Sequence, residues 1–424
     1  MKAIGHGGEE IVERVITDKN EALKKIKGLK QVPVRRQIAT EAISIAYGFF
    51  SPLQGFMKKA DVESTCKNMT LADGTVWSIP IVFDMSDKEI AEYGIKAGST
   101  VLLTSDGNPL ATFEVEDIFT YDKQEWSQAV YGTTDMKHPG VKRTYEYKDK
   151  FLGGKITLVN PPKLNPPFDQ YWLTPLQHRE KFKEKGWQRI VAHQTRNVPH
   201  TGHEWLMKHA WMATHAELSM EETEEGKAVT GTLVNCIIGE KRAGDYIDQA
   251  IILTQDALRK YGYFREDVHM TSFTLWDMRY AGPKEAIHHA IIRTNLGLTH
   301  HMFGRDHAGV GTYYHPYAAH RIFKQVPQGK LNITPIFVLE WLYCPHCGEV
   351  TCMGLCGHGK EQQKFSGTLI RSILMDGVKP TRLIFRPEIF DIVMDCAKKY
   401  GFGSPFVTPQ YIEKGTPAFR IDPL

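Results

Sequence analysis

Val191-Ala192-His193-Gln194-Thr195-Arg196-Asn197-Val198-Pro199-His200-Thr201-Gly202-His203-Glu204 is the stretch on which the fold turns. Its apolar start reads as the end of a strand, and a polar turn follows. Thr201 and Glu204 stand at capping-box spacing, which predicts a helix starting near Thr201, with His200 just before its first turn and His203 inside it. Strand, polar turn and helix in that order make one unit of a parallel α/β sheet. Backbone N–H groups and the positive end of the helix dipole then converge with two imidazoles and Arg196, a setting that stabilises phosphate. Two histidines at this spacing also fit a polar surface pair or half a metal site. Against that bland reading, an Arg, a Gln, an Asn and two His at one turn are costly to a fold unless a charged ligand meets them.

Moving outward, strand-like runs at Arg189 to His193, Thr232 to Ile238, Val268 to Leu275 and Thr299 to Phe303 alternate with helical patterns. The predicted helices cover Gly202 to Ala216, Gly244 to Tyr261 and Pro283 to Leu296, and the series implies a parallel sheet. Ligands of such sheets bind beyond the carboxyl ends of the strands. A second polar turn falls there, Gly304-Arg305-Asp306-His307-Ala308-Gly309-Val310-Gly311. Its glycines permit close backbone approach, and Arg, Asp and His bring charge. Taken alone it is equally a glycine-rich turn with a local Arg–Asp pair.

Before this region the chain carries short β-rich runs, Val76 to Phe83, Ser99 to Thr104, Ala111 to Tyr121 and Lys155 to Leu158, with one or two helices near its start. Asn160-Pro161-Pro162-Lys163-Leu164-Asn165-Pro166-Pro167 resists helix and central strand and is the linker candidate. Three domains are expected: 1–168, mostly β; 169–335, α/β; and 336–424, a smaller unit with a helical stretch at Glu388 to Tyr400. A length of 424 residues is ample for that.

Hydrophobic residues at 42% and charged residues at 24% describe a globular chain. The formal net charge of +3 does not suggest a bulk nucleic-acid binder, though a basic pocket fits inside it. No run of about 18 apolar residues occurs and the start lacks a signal peptide's apolar core, so a cytoplasmic location is expected. Four of the seven cysteines, Cys344, Cys347, Cys352 and Cys356, crowd together, which in that compartment favours metal over disulfides. Three thiolates with a fourth sulfur or an imidazole, such as His358, would close a tetrahedral zinc site packed against Phe337 to Tyr343. Redox thiols or plain buried cysteines are the alternative. Gly354-Leu355-Cys356-Gly357-His358-Gly359-Lys360-Glu361 fits a phosphate-binding P-loop up to its lysine, but Glu361 replaces the hydroxyl residue and no strand is expected before it.

The sequence resembles the ATP sulfurylase family. Gln194-Thr195-Arg196-Asn197 with His200 and His203 is similar to its Q-x-R-N-x-x-H-x-x-H signature, and Gly304 to Gly309 to its G-R-D-H-A-G loop. Gly48-Phe49-Phe50-Ser51-Pro52-Leu53-Gln54-Gly55-Phe56-Met57, Met278-Arg279-Tyr280-Ala281-Gly282-Pro283, and Ser366-Gly367-Thr368 with Arg371 add three more ordered matches. The resemblance implies a PUA-like first domain, a Rossmann-like nucleotidylyltransferase domain and a small C-terminal zinc-bearing domain. It also implies roles. Gln194, Arg196 and Asn197 would hold sulfate and the α-phosphate with Thr195 beside them, and His200 and His203 would face the β- and γ-phosphates. Gly304, Arg305, Asp306 and His307 would bind the nucleotide, the Ala308 amide sulfate, and Leu339 the adenine. Some members of the family bind zinc through three Cys and one His, the His four residues after the third Cys. Lys360 stands there in this chain, so Cys344, Cys347 and Cys356 are joined by His358 as first choice and by Cys352 as second.

The expected activity is therefore transfer of AMP from ATP to sulfate, with Thr195, Arg196, Asn197, His200, His203 and Arg305 catalytic. Mg²⁺ is expected to travel with ATP, because no carboxylate cluster lies near either turn. The expected form is the short microbial one without a kinase-like extension, acting as a homo-oligomer on small molecules alone. A related nucleotidylyltransferase with another acceptor, and an RNA-binding protein using the PUA-like domain and zinc knuckle, are the competing readings.

Overall fold

The computed structural model describes residues 3–216, 229–365 and 367–424. Of the Ser366-Gly367-Thr368 match, Ser366 thus lies outside the described residues.

The first domain is built on a six-stranded sheet. Gln31–Pro33, Thr100–Ser105, Asn108–Phe119, Lys150–Leu158 and Gly55–Phe56 follow one another across it, and Phe83–Met85 also pairs with Lys150–Leu158. One or two helices were expected here. Among the described residues the domain holds six α-helices, including Lys19–Ile26, Arg36–Ala46 and Lys59–Asn68. The expected strand Val76 to Phe83 forms only at its far end. Pro80 has no N–H for a ladder, and the apolar run instead lines the core irregularly, with Trp77 Nε1–H donating to Ile79 O at 2.7 Å.

The central domain is a five-stranded sheet that is parallel throughout. We label its strands β1 (Arg189–Thr195), β2 (Thr230–Ile238), β3 (His269–Leu275), β4 (His300–Phe303) and β5 (Thr334–Phe337). Its helices are α1 (Thr201–His215), α2 (Asp248–Lys260) and α3 (Pro283–Leu296). The strand order is β3-β2-β1-β4-β5. Every residue of β2 is buried, as expected of a strand covered on both faces. Strand order reverses between β1 and β4, so a crevice opens beyond their carboxyl ends. Both polar turns emerge there.

Asn160 to Pro167 is pinned rather than a free tether. Lys163–Leu164 pairs antiparallel with Phe419–Arg420, and Asn160 Nδ2 donates to Asp422 O at 2.8 Å. Its prolines exclude it from a central strand but not from a two-residue edge. Beyond β5, the antiparallel hairpin Trp341–Cys344 and Glu349–Cys352 carries the cysteines, and helix Pro387–Lys399 packs on α2. The strand Glu349–Cys352 does precede Gly354 to Glu361, contrary to expectation. It belongs to a hairpin, and no helix starts at the lysine end of the segment, the next one being Gly367–Met375, so the segment is still no P-loop.

The first domain grips the central one at residues 276 to 282. Buried Arg279 pairs with buried Glu41, and the rings of Phe50 and Trp276 meet edge to face at 5.5 Å. Asn295 of α3 donates to Phe49 O and Ser51 O at 3.0 and 2.9 Å. The F-S-P-L match is therefore a docking element for α3.

Candidate active site

The two turns close around a cavity of about 220 Å³. Its walls include Gln194, Thr195, Arg196, Asn197 and His203 from the β1–α1 turn, and Gly304 to Gly309 from the turn after β4. Two predicted residues are not among its walls: His200, which stands behind His203, and Leu339, which is 43% exposed. A larger hollow of about 720 Å³ between the first domain and the C-terminal tail carries no part of either turn.

Helix α1 starts at Thr201 as predicted, but not by the predicted device. Thr201 Oγ1 donates to Leu383 O at 2.6 Å, and Glu204 is taken by Arg386 at 2.8 and 2.9 Å. His200 is the residue before the helix, and its N–H donates to His203 Nδ1 at 3.4 Å. The Thr201 N–H, expected to face an anion, instead donates to Ile384 O at 3.0 Å. The C-terminal region therefore takes up both side chains that the capping-box spacing assigned to the helix start.

The imidazoles lie stacked. His200 and His203 are 3.8 Å apart, His200 stacks on Phe365 at 4.9 Å, and His193 lies 5.9 Å from His203. Burial pushes the His203 ring down to about 4 and holds His193 and His200 well below the usual histidine range. The rings are neutral at pH 7. Because His203 Nδ1 accepts from the backbone, its proton sits on Nε2, and that N–H is a donor available to a ligand.

Fixed positive charge comes from arginine. Arg196 donates to the Tyr280 hydroxyl at 2.6 Å with its guanidinium 4.7 Å from the ring, while Arg242 covers the same ring at 4.2 Å. Arg305 is held by Glu340 at 3.0 Å and Asp306 at 3.2 Å. Left-handed backbone in this turn falls on Asp306 (φ 54°) and Ala308 (φ 53°) rather than on Gly304 or Gly309. Two non-glycine residues so held at one turn are a strained geometry of the kind found where ligands bind.

Sequence reasoning missed four residues that complete the site: His193, Tyr280, Glu285 and His289. Gln194 Nε2 lies 2.7 Å from His289 Nδ1, and His307 Nε2 lies 3.0 Å from the same atom. The available signal was Tyr280 inside the M-R-Y-A-G-P match. For Glu285 and His289 no periodicity distinguishes them, since α3 is buried on every side.

Cys344 Sγ, Cys347 Sγ, Cys356 Sγ and His358 Nδ1 lie within 4.8 Å of one another, and among the described residues they are the one such group able to hold a metal ion. The close pairs measure 3.3, 3.5, 3.8 and 3.8 Å. A tetrahedral ion about 2.3 Å from sulfur and 2.0–2.1 Å from nitrogen sets such edges at about 3.5–3.8 Å. The donors therefore fit, with N–H groups of Cys347 and His358 aimed at sulfurs. Cys352 is outside the group; it pairs with Trp341 in the hairpin.

A β3-β2-β1-β4-β5 sheet with an arginine- and imidazole-lined crevice at its strand-order reversal defines an α/β protein of the nucleotide-binding class. The ATP-sulfurylase family profile matches residues 169–396, and a PUA-like domain profile matches residues 3–161. The chain is 38% identical to the sulfate adenylyltransferase of Archaeoglobus fulgidus, covering 98% of this chain and 96% of that one. It is 40% identical to those of Hyperthermus butylicus (92% and 95% covered) and Pyrococcus abyssi (93% and 94%). A solved structure titled as a hexameric APS kinase from Thiobacillus denitrificans superposes with a TM-score of 0.67 at 20% identity, over 93% of this chain and 68% of that one, a likeness of fold. The chain belongs to the ATP-sulfurylase family.

Proposed function

We infer that the protein is a sulfate adenylyltransferase, joining sulfate to the AMP moiety of ATP and releasing pyrophosphate. The observation that carries this is the convergence of Gln194, Arg196, Asn197 and His203 with the Gly304 to Ala308 turn on one small polar cavity. At about 220 Å³ it is smaller than the roughly 300–1,000 Å³ of a site for a drug-sized ligand. It suits sulfate and the reacting phosphate, with the nucleoside lying outward along Gly304, Arg305 and Asp306 and Leu339 near the adenine.

In this reading Gln194, Arg196 and the Ala308 N–H hold sulfate, and Gln194, Arg196 and Asn197, with Thr195 beside them, hold the α-phosphate. His203, backed by His200, donates Nε2–H to the β- and γ-phosphates. A sulfate oxygen attacks the α-phosphorus in line as the bond to pyrophosphate breaks. Sulfate is already a dianion at pH 7, so no general base is required. The main task is to bring two anions together, and Arg196 and Arg305 offset their repulsion. As substrate arrives, Arg305 exchanges Glu340 for phosphate oxygens. With ATP entering as its magnesium salt, part of the leaving charge is offset before the protein acts.

The Cys344, Cys347, Cys356 and His358 group is read as a structural zinc site, closed by four protein ligands with no open position for substrate. A homo-oligomer in the cytoplasm, acting on small molecules, completes the proposal, with domains at 1–168, 169–335 and 336–424, the last boundary shifted to follow β5, which ends at Phe337. No helix among the described residues is long and apolar enough to cross a membrane. Stereochemistry tests the chemical step: in-line transfer inverts configuration at a chiral α-phosphorus, and retention would show a covalent adenylyl-enzyme instead.

A further inference from the structure

Beside the reaction cavity lies a second hollow, of about 390 Å³, that the chemistry described above does not use. Met278 stands in the wall of both. The charged lining of the hollow is Lys137, Lys142, Arg143 and Arg242 against Glu146 and Glu240. Both carboxylates are already engaged, Glu240 by Arg143 at 2.5 Å and Glu146 by Lys142 at 3.9 Å. Lys137 and Arg242 have no ion-pair partner among the described residues, so the hollow carries an excess of positive charge.

Arg242 is placed by Tyr280, and so is Arg196. Their guanidinium groups lie 4.2 and 4.7 Å from the centroid of the same ring. Tyr280 takes left-handed backbone (φ 58°), a costly conformation for a bulky residue. Its neighbours hold it there: Glu285 accepts from the N–H groups of Arg279 and Ala281, both at 3.0 Å, and His138 Nε2 lies 3.1 Å from Tyr280 O. Two cations gathered on one ring repel each other. Asp245 offsets this only in part, because its Oδ2 stands 4.0 Å from Arg196 Nη1 and accepts the backbone N–H of Arg242 at 3.1 Å rather than its guanidinium. A small anion held by Arg242 supplies the missing negative charge.

We propose that this hollow is an oxyanion subsite adjoining the reaction cavity, where Arg242 and Lys137 hold a small inorganic dianion beside the one that Arg196 engages. The proposal rests on reading the cavity as the sulfate adenylyltransferase site, whose substrate sulfate and product pyrophosphate share that chemistry. The hollow is the larger of the two spaces, so its anion keeps part of its water and binds more weakly than the anion in the cavity.

The test is direct binding of ³⁵S-sulfate and, separately, of ³²P-pyrophosphate to the full chain at low ionic strength, without nucleotide. Wild-type protein is expected to show a weaker second site for at least one of these anions. Lys137→Gln with Arg242→Gln changes two exposed side chains and is expected to weaken that second site on the order of 10-fold or more. Loss of the second sulfate site assigns the hollow to the substrate, and loss of a pyrophosphate site assigns it to the product; either upholds the proposal. One site for each anion in the wild type, unmoved by the substitutions, overturns it. An equal fall in MgATP affinity also overturns it, since the two cations would then act only as a general field. In wild-type crystals grown without sulfate and soaked in selenate, an anomalous peak is expected beside Arg242. A peak in the cavity with none beside Arg242 counts against the subsite even if the double variant fails to fold. Wild-type enzyme that releases pyrophosphate without needing sulfate would instead defeat the functional reading, which is a separate result.

Discussion

Arg196 shows how much a single side chain is asked to do. Its guanidinium is held by the Tyr280 hydroxyl at 2.6 Å and stacked over the same ring. Arg196→Lys keeps the charge but loses the planar fork and the stacking, so turnover falls about 10²-fold or more. Circular dichroism and a melting temperature near wild type check that folding is spared; a large stability loss with normal specific activity would make the residue structural. For His203 the argument is different, because the ring is neutral and its value is one aimed N–H. His203→Asn removes the donor from its place between His193 and His200 and lowers turnover by a comparable ~10², read as a kcat loss at saturating ATP. Gln194, Arg196, Asn197, His203 and the 304–309 turn were legible because they are local: a few consecutive residues at a strand's end. Glu285 and His289 were not. They share a helix whose every face is buried, and only the folded chain brings them to Gln194 and His307.

At the scale of elements, helix α1 is the piece that must not move, and the C-terminal region holds it. Ile384 O takes the Thr201 N–H, Arg386 pairs with buried Glu204, and Trp341 of the cysteine hairpin stacks on Trp205 at 5.5 Å. A structural ion in that hairpin would therefore brace the helix that carries His203. Elemental analysis is expected to find about one zinc per chain, and Cys344→Ser is expected to lower the melting temperature by ~5 °C or more. Full zinc content and unchanged melting in that variant would refute the ligand set. The three central helices and four of the five strands were read within a few residues, because alternation of apolar β-branched runs with helical periods is a strong signal; the short edge strand β5, with a proline inside it, was not read. In the first domain Val76 to Phe83 misled. Its apolar residues are buried as expected, yet Pro80 keeps them out of the ladder, and burial alone does not make a strand.

Across the whole molecule, buried histidines give the stability a defined dependence on pH. Burial pushes His178 and His203 down to about 4 and His269 to about 3, and holds His193, His301 and His307 well below their ordinary range. Unfolded, each titrates near 6.5. Between about pH 6.5 and pH 4 the unfolded chain thus binds protons that the folded chain refuses. Stability rises with pH through that window and is lost on acidification, by up to ~1.4 kcal/mol per pH unit for each such ring. Glu41 and Asp248, pushed up by burial, oppose the trend but are outnumbered. Denaturant midpoints are expected to fall steadily from pH 7 to pH 5.5; a flat or rising midpoint would contradict the neutral-histidine account. The central claim is the chemistry, and one assay bears on it most directly: pyrophosphate release from MgATP with and without sulfate. The account predicts release only when sulfate, or an oxyanion analogue such as molybdate, is supplied. Equal release in its absence would contradict it.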